Sequence, residues 1–401
     1  MNIFVYLLKL FSIMKILKRK KYLDRISPFV EKPMIKVLTG QRRVGKSFLL
    51  QSISEELLDE DVQKIFVDKE NFEFDEILNY QQLNQYINSK INSTKVAILI
   101  DEVQEIEEFE KSLRNFYKKP GFDIYITGSN ANLLSGELAS LLGGRYVEFE
   151  IFPLDFREFL ELHAFDSTEE NLNKYMQFGG MAGLSLLPDD IRIKREYLQN
   201  ILNSIVYKDI IKRNQIRNVA FLENLISFIA GNVGSQFSSK KISDYLKSQK
   251  IKISINTVMD YLKFMADAFI FRKVKRIDIK GKKVFEIGEK YYFEDLGLRN
   301  LIAGFSADDI SKVYENLVYN HLNSNGFEVK TGALGGKEID FIAEKEGETY
   351  YFQVTFLLSN DQTIEREFGN LLLIDDNYPK YVISKDILPS INTYKGIRQV
   401  S

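Results

Sequence analysis

The run Thr39-Gly40-Gln41-Arg42-Arg43-Val44-Gly45-Lys46-Ser47-Phe48 holds the residues best suited to chemistry. It fits G-x-x-x-x-G-K-[ST], in which glycines let backbone N–H groups close around the β- and γ-phosphates of a nucleotide. Lys46 adds a mobile point charge, and Ser47 can hold Mg²⁺. The apolar run ending at Gly40 reads as a strand and Phe48 to Leu58 as a helix, whose positive dipole end favours the same anion. Gly40 through Phe48 is thus the expected binding loop, with ATP and Mg²⁺ as its ligands.

A second chemical pair follows in Lys95-Val96-Ala97-Ile98-Leu99-Ile100-Asp101-Glu102. A continuous apolar run is the pattern of a fully buried parallel strand, and the ligand crevice of such a sheet lies at the carboxyl ends of its strands. There Asp101 is placed to hold the Mg²⁺ water shell, and Glu102 to orient and deprotonate an attacking water. Lys46 and Glu102 are the expected catalytic residues, Ser47 and Asp101 the expected metal ligands. A third buried strand, Asp123 to Thr127, runs into Gly128-Ser129-Asn130, where Ser129 and Asn130 are candidate γ-phosphate sensors or simply part of a strand-to-helix turn. Arg145, after Gly143-Gly144, is either a cation sensing that phosphate, in the same chain or across subunits, or a solvated arginine.

The elements that must position these residues read as alternating strands and helices. Ile65 to Val67 is a short strand, Phe74 to Ile91 and Leu133 to Leu142 are helical, Tyr146 to Phe152 is a strand, and a helix starts at Pro153. The chain is long for one core at 401 residues, so two or three domains are expected. With a net charge of -2 there is no global field to draw nucleic acid or an acidic membrane. The absence of cysteine excludes disulfides and thiolate metal sites, and the two histidines, His163 and His321, are too far apart in sequence to suggest zinc. A reducing cytoplasm fits. The apolar stretch Ile3 to Met14 precedes its basic run, Lys15 to Lys21, opposite to a secretory signal, and is too short for stable membrane insertion.

Beyond the core, Leu172 to Asn214 reads as mainly helical with a break at Phe178 to Gly183. Helices at Phe221 to Ala230, Ile242 to Lys247 and Asn256 to Asp267, then a strand from Phe269 to Asp278, follow the order of a winged helix. Arg272, Lys273, Lys275, Arg276, Lys280, Lys282 and Lys283 crowd its wing, which makes DNA one candidate partner and a protein client the other. In the last part, helix residue Glu315, Asp340 on a strand and Gln353 on the next have the layout of a two-metal nuclease. No lysine follows Gln353 at the required spacing, so the expectation is a degenerate site.

Nearly the whole chain resembles the bacterial and archaeal AAA-type ATPases that carry a C-terminal domain of unknown function related to the PD-(D/E)XK nuclease fold. The resemblance rests on Tyr22-Leu23-Asp24-Arg25-Ile26, Thr39 to Ser47, Leu99-Ile100-Asp101-Glu102-Val103-Gln104, Ile126 to Ser129, Gly144 to Glu148 and Phe152 to Phe159. It continues in Tyr292 to Arg299 and Glu338-Ile339-Asp340-Phe341. It implies nucleotide binding and hydrolysis by Gly40, Gly45, Lys46, Ser47, Asp101 and Glu102, with Ser129 and Arg145 as further members. Such chains usually begin near the Tyr22 segment, which favours Met14 as the start. The expected architecture is α/β: an extension at 1–19, a P-loop ATPase core at 20–165, a helical lid at 166–215, a winged-helix module at 216–285 and a degenerate nuclease-like domain at 286–401. ATP turnover then drives a conformational switch, in a monomer or an oligomer. The alternatives are a nucleotide-regulated DNA-binding protein and a Mg²⁺-dependent nuclease.

Overall fold

The computed structural model describes residues 17–134, 142–238, 240, 242–244, 253–281, 284–358, 360–386 and 393–401. Met14, Lys282, Lys283 and most of the expected helices at 133–142 and 242–247 lie outside them. The chain forms two compact units. One runs to Ser167 and adds Met181–Pro188 and Asp267–Phe269; the other takes Thr168–Gly180, Asp189–Ala266 and Ile270–Ser401.

The first unit is built on five parallel strands, β1 Ile35–Thr39, β2 Gln63–Asp68, β3 Val96–Asp101, β4 Phe122–Gly128 and β5 Tyr146–Glu150, in the order β2-β3-β4-β1-β5. Its helices are α1 Lys20–Ile26, α2 Lys46–Glu56, α3 Tyr80–Lys90, α4 Phe109–Tyr117 and α5 Phe156–His163. Alternate residues of each strand feed two cores, because the sheet is covered on both faces. Val37, Ile98, Ile100, Ile124 and Ile126 cluster with Leu83, Ile87, Leu113 and Phe116. Leu38, Leu99 and Tyr125 cluster with Tyr22, Ile26, Leu49 and Ile53. The helix expected from Phe74 starts only at Tyr80, because the Asn79 side chain caps it there by accepting from the N–H groups of Gln81 and Gln82.

Between β1 and α2 the backbone turns sharply. Gly40 has φ +144°, and a Cβ on it would overlap the Ile151 carbonyl oxygen. Gly45, at φ +98°, forms the N-cap of α2 without a side-chain cap and has open space around its Cα. The two glycines therefore serve different needs, close approach in one case and left-handed backbone in the other.

The second unit combines helices with an eight-stranded sheet. Helices α6 Glu169–Phe178, α7 Ile191–Ser204, α8 Val219–Gly231 and α9 Ile255–Asp267 precede it, and α7 runs on into a π-helix, Ile205–Lys212. The strands are β6 Phe271–Asp278, β7 Val284–Phe293, β8 Glu328–Leu334, β9 Lys337–Lys345, β10 Glu348–Thr355, β11 Lys380–Ser384, β12 Thr393–Tyr394 and β13 Ile397–Val400. Their order is β12-β13-β11-β10-β9-β8-β6-β7, with helices α10 Leu296–Ala303, α11 Ile310–Ser324 and α12 Asp361–Leu372. The basic residues expected on a wing fall on and beside the β6–β7 hairpin, and Ser254 accepts from the Thr257 N–H at the start of α9. The hairpin is not free-standing: β6 also pairs in parallel with β8 through Arg276, Ile277 and Asp278, so the edge between 285 and 286 falls inside β7.

Two buried charged residues fix the helical part of this unit. Arg299 donates to the carbonyls of Ala230 and Gly304 and pairs with Asp309 at 3.1 Å. Asp295 caps α10 through the Leu298 N–H and also accepts from the Gly180 N–H at 2.7 Å. Burial nevertheless pushes its carboxyl up to about 6, against those backbone donors.

Two predictions follow from these geometries. Alanine at Gly45 should cost about 1–2 kcal/mol in urea unfolding for backbone strain alone, and alanine at Gly40 more than about 3 kcal/mol, since it adds a backbone overlap. For Asp295 the folded state binds a proton that the unfolded chain releases near its usual pKa of about 4. The stability from this group is therefore present below about pH 4 and lost as pH rises through about 6. The stability advantage of wild type over Asp295→Asn should shrink by about 2–3 kcal/mol between pH 4 and pH 7.

Candidate functional site

Parallel pairing brings the carboxyl ends of β1, β3 and β4 to one edge of the first unit, and the expected residues meet there. Lys46, in the first turn of α2, is buried, and its ammonium donates to the carbonyls of Gly40 and Gln41 at 3.0 Å each. The same nitrogen lies 3.8 Å from the Glu102 carboxylate. Val44 turns into the core, while Phe48 is over a third exposed. Arg42 is buried and pairs with Glu70 at 3.3 Å; Arg43, at φ +70°, reaches the same carboxylate at 3.6 Å. Gln41 donates to the Phe269 carbonyl at 2.7 Å.

Asp101 and Glu102 end β3 with different surroundings. The Thr127 hydroxyl donates to Asp101, and Ser47 is hydrogen-bonded to the same carboxylate. Burial pushes Asp101 above its ordinary range in spite of those two hydroxyls. Oxygen donors from Ser47 and Asp101 thus sit side by side, the set a hard divalent cation takes. Glu102 has φ +51°, and its N–H donates to Thr127 Oγ1 at 2.9 Å. Burial alone would raise its carboxyl; the charges of Lys46 and Arg42, with hydrogen bonds from Gln104 and Ser129, outweigh this and hold it below its usual value.

Of the two candidate sensors, both are buried, and Ser129 is the one whose hydroxyl meets Glu102. Gln104 joins them: its amide donates to the Glu102 carboxylate and lies 3.4 Å from Ser129 Oγ. Its Oε1 is buried with no partner, so the side chain is held there at some cost. Arg145 is not part of the cluster. Its carbonyl accepts from the Ile35 N–H, at the start of β1, while the loop leaves the other end of that strand. The strand separates them by about 16 Å at 3.3 Å per residue, and the exposed guanidinium lies over the Tyr117 ring. Within this chain Arg145 therefore lies away from the loop, and a role across subunits is the part of its expectation that this geometry leaves open.

Sequence reading missed Thr127 and Gln104, which stood within runs already singled out, next to the strand-end residues they bond.

In the second unit, Glu315, Asp340 and Gln353 do come together, with Lys290 of β7 among them. Its ammonium lies 2.8 Å from Glu315 and 2.6 Å from Glu338. Burial would lower the Lys290 pKa, and the surrounding carboxylates more than reverse this. Gln353 accepts from the Asp340 N–H and donates to Glu367 at 2.8 Å, so its amide is committed. Among the described residues no group of acidic or histidine side chains is arranged to hold a metal ion. On the β6–β7 hairpin, Arg272 pairs with Glu294 and Lys273 with Glu289 at 2.7 Å, which neutralises part of the expected basic face; Lys275 and Lys280 are exposed. No described helix is long and apolar enough to cross a membrane.

Residues 32–160 match the AAA domain family, and residues 169–309 match a domain of unknown function (DUF8612). An uncharacterized protein of Haemophilus influenzae is 38% identical over 377 residues, covering 92% of this chain and 93% of its own length. An uncharacterized protein of Methanocaldococcus jannaschii is 33% identical over 352 residues, covering 83% of this chain and 77% of its own. Among solved structures, the Walker-type ATPase of Pyrococcus abyssi aligns with a TM-score of 0.52 over 71% of this chain and 95% of that one, at 15% identity, a likeness of fold. The chain belongs to the family of these bacterial and archaeal relatives, and in it an AAA-type P-loop ATPase domain is followed by a domain of unknown function.

Proposed function

We propose that the protein binds ATP with Mg²⁺ and hydrolyses it, using the change to drive a conformational switch. The observation that carries this reading is the convergence of Lys46, Ser47, Asp101 and Glu102 at one sheet edge, with Glu102 tethered to Ser129 through Gln104. Ser47 and Asp101 would hold the magnesium ion, which supplies neutralisation of phosphate charge. The N-cap of α2 is Gly45, which has no side chain to cap the helix, and backbone N–H groups at such a helix start suit phosphate oxygens. Lys46 exchanges its two loop carbonyls for phosphate oxygens, and its attraction to Glu102 weakens as it does so. Glu102 then accepts a proton from a water whose oxygen attacks the γ-phosphorus; the bond to the bridging oxygen breaks, leaving ADP and phosphate.

Gln41 supports the switch, since it ties the phosphate loop to Phe269, in the segment joining α9 to β6. A protein client is the better-supported target, because Arg272 and Lys273 already have carboxylate partners. DNA is the competing target. Strong stimulation of turnover by duplex or single-stranded DNA in the purified full chain would select it.

Lys46→Ala should lose ATP binding, and Glu102→Gln should retain binding while turnover falls at least about 100-fold; wild-type turnover by Glu102→Gln removes the base assignment. Gln104→Ala should lower kcat about tenfold or more with KM for ATP unchanged, as expected for a residue that holds the base and does not touch the nucleotide. Steady-state phosphate release checks both.

A further inference from the structure

A buried ion pair in the first unit lies outside every residue assigned above. The Arg19 side chain is 6% exposed and forks onto both oxygens of Glu158, Nε to Oε1 at 2.9 Å and Nη2 to Oε2 at 2.8 Å. Nη1 donates to two carbonyls, Val44 at 3.0 Å and Phe152 at 2.9 Å. Nη2 also approaches the Pro153 carbonyl and the Tyr22 hydroxyl at 3.5 Å each. All five guanidinium N–H groups are thereby engaged. Glu158 is fixed in turn as the reciprocal partner of Asp155 in the capping box of α5.

Val44 lies inside the phosphate-binding loop, one residue before Gly45. The other end of that loop is also fixed from the 151–153 segment. The Ile151 N–H donates to the Thr39 carbonyl at 2.8 Å, and Gly40 packs against the Ile151 carbonyl. The segment after β5 therefore grips the loop twice, directly below Gly40 and through Arg19 at Val44. Stability alone does not call for an arginine here, since a buried ion pair is often replaceable by apolar side chains without loss. An apolar pair cannot hold a carbonyl.

We propose that Arg19 is a positioning residue of the nucleotide site, setting the Val44 end of the loop in its phosphate-cradling shape before ATP arrives. Such preorganisation spares the ligand the cost of ordering the loop. The inference rests on the reading of Gly40 to Ser47 as the phosphate-binding loop.

The test compares full-length wild type with Arg19→Lys and with Arg19→Met combined with Glu158→Gln. Arg19→Lys keeps the charge but lacks the planar fork that spans three partners. The double variant also removes the buried carboxylate, which on loss of Arg19 would keep only Lys21 at 3.2 Å as its charged partner and would destabilise the fold. Melting temperature reports folding, and titration with a fluorescent ATP analogue and Mg²⁺ reports affinity. Both folded variants should bind the analogue at least tenfold more weakly than wild type, the double variant doing so with a near-native melting temperature. Wild-type affinity in either folded variant overturns the proposal. Lys46→Ala, run alongside, separates the two failures: if it also binds as wild type, the reading of the loop itself falls.

Discussion

Strand β1 is hydrogen-bonded on both sides, to β4 and to β5, and the site depends on this double parallel pairing. Because every strand of the sheet points the same way, Thr39, Asp101 and Gly128 all finish at one edge, and the loops that follow them share one space. The pairing with β5 does more than complete the sheet. It carries the chain past Glu150 so that Ile151 closes against Thr39 and Gly40, leaving no room for a side chain on the glycine. The shape of the loop is thus imposed by a strand neighbour more than one hundred residues away in sequence.

The charged side chains of the site have partners within the protein. Lys46 rests between loop carbonyls and Glu102, Arg42 faces Glu70, and Asp101 shares hydroxyls with Thr127 and Ser47. A buried lysine with no acceptor would be costly, so these contacts hold the Lys46 side chain in place. On the proposed reading, an arriving phosphate would exchange these partners and would not have to create a charged pocket.

The legible parts of the sequence were those where local pattern and tertiary role coincide. Fully buried parallel strands must be apolar throughout, so Val96 to Ile100 and Ile124 to Ile126 read correctly, and the loop glycines are dictated by backbone geometry alone. Where a loop lies in space was harder. Arg145 reads from sequence as the residue before the strand at Tyr146, and only the pairing of β5 with β1 shows that this puts it at the far end of β1 from the loop. Arg19 was illegible for another reason: its partner Glu158 lies 139 residues on, and a cation in a basic run gives no hint that it is buried. The parallel pairing of β6 with β8 is likewise non-local, so the hairpin read as a self-sufficient wing.

That pairing changes what the hairpin can do mechanically. The β6–β7 ribbon forms one border of the eight-stranded sheet, and Lys290 on β7 is bonded into the carboxylate cluster of α11 and β9. A ribbon so joined cannot flex apart from the sheet behind it; whatever displaces one displaces the other. A chain cut at residue 285 would sever β7 and bare the side of β6 that it covers, inviting edge-to-edge association.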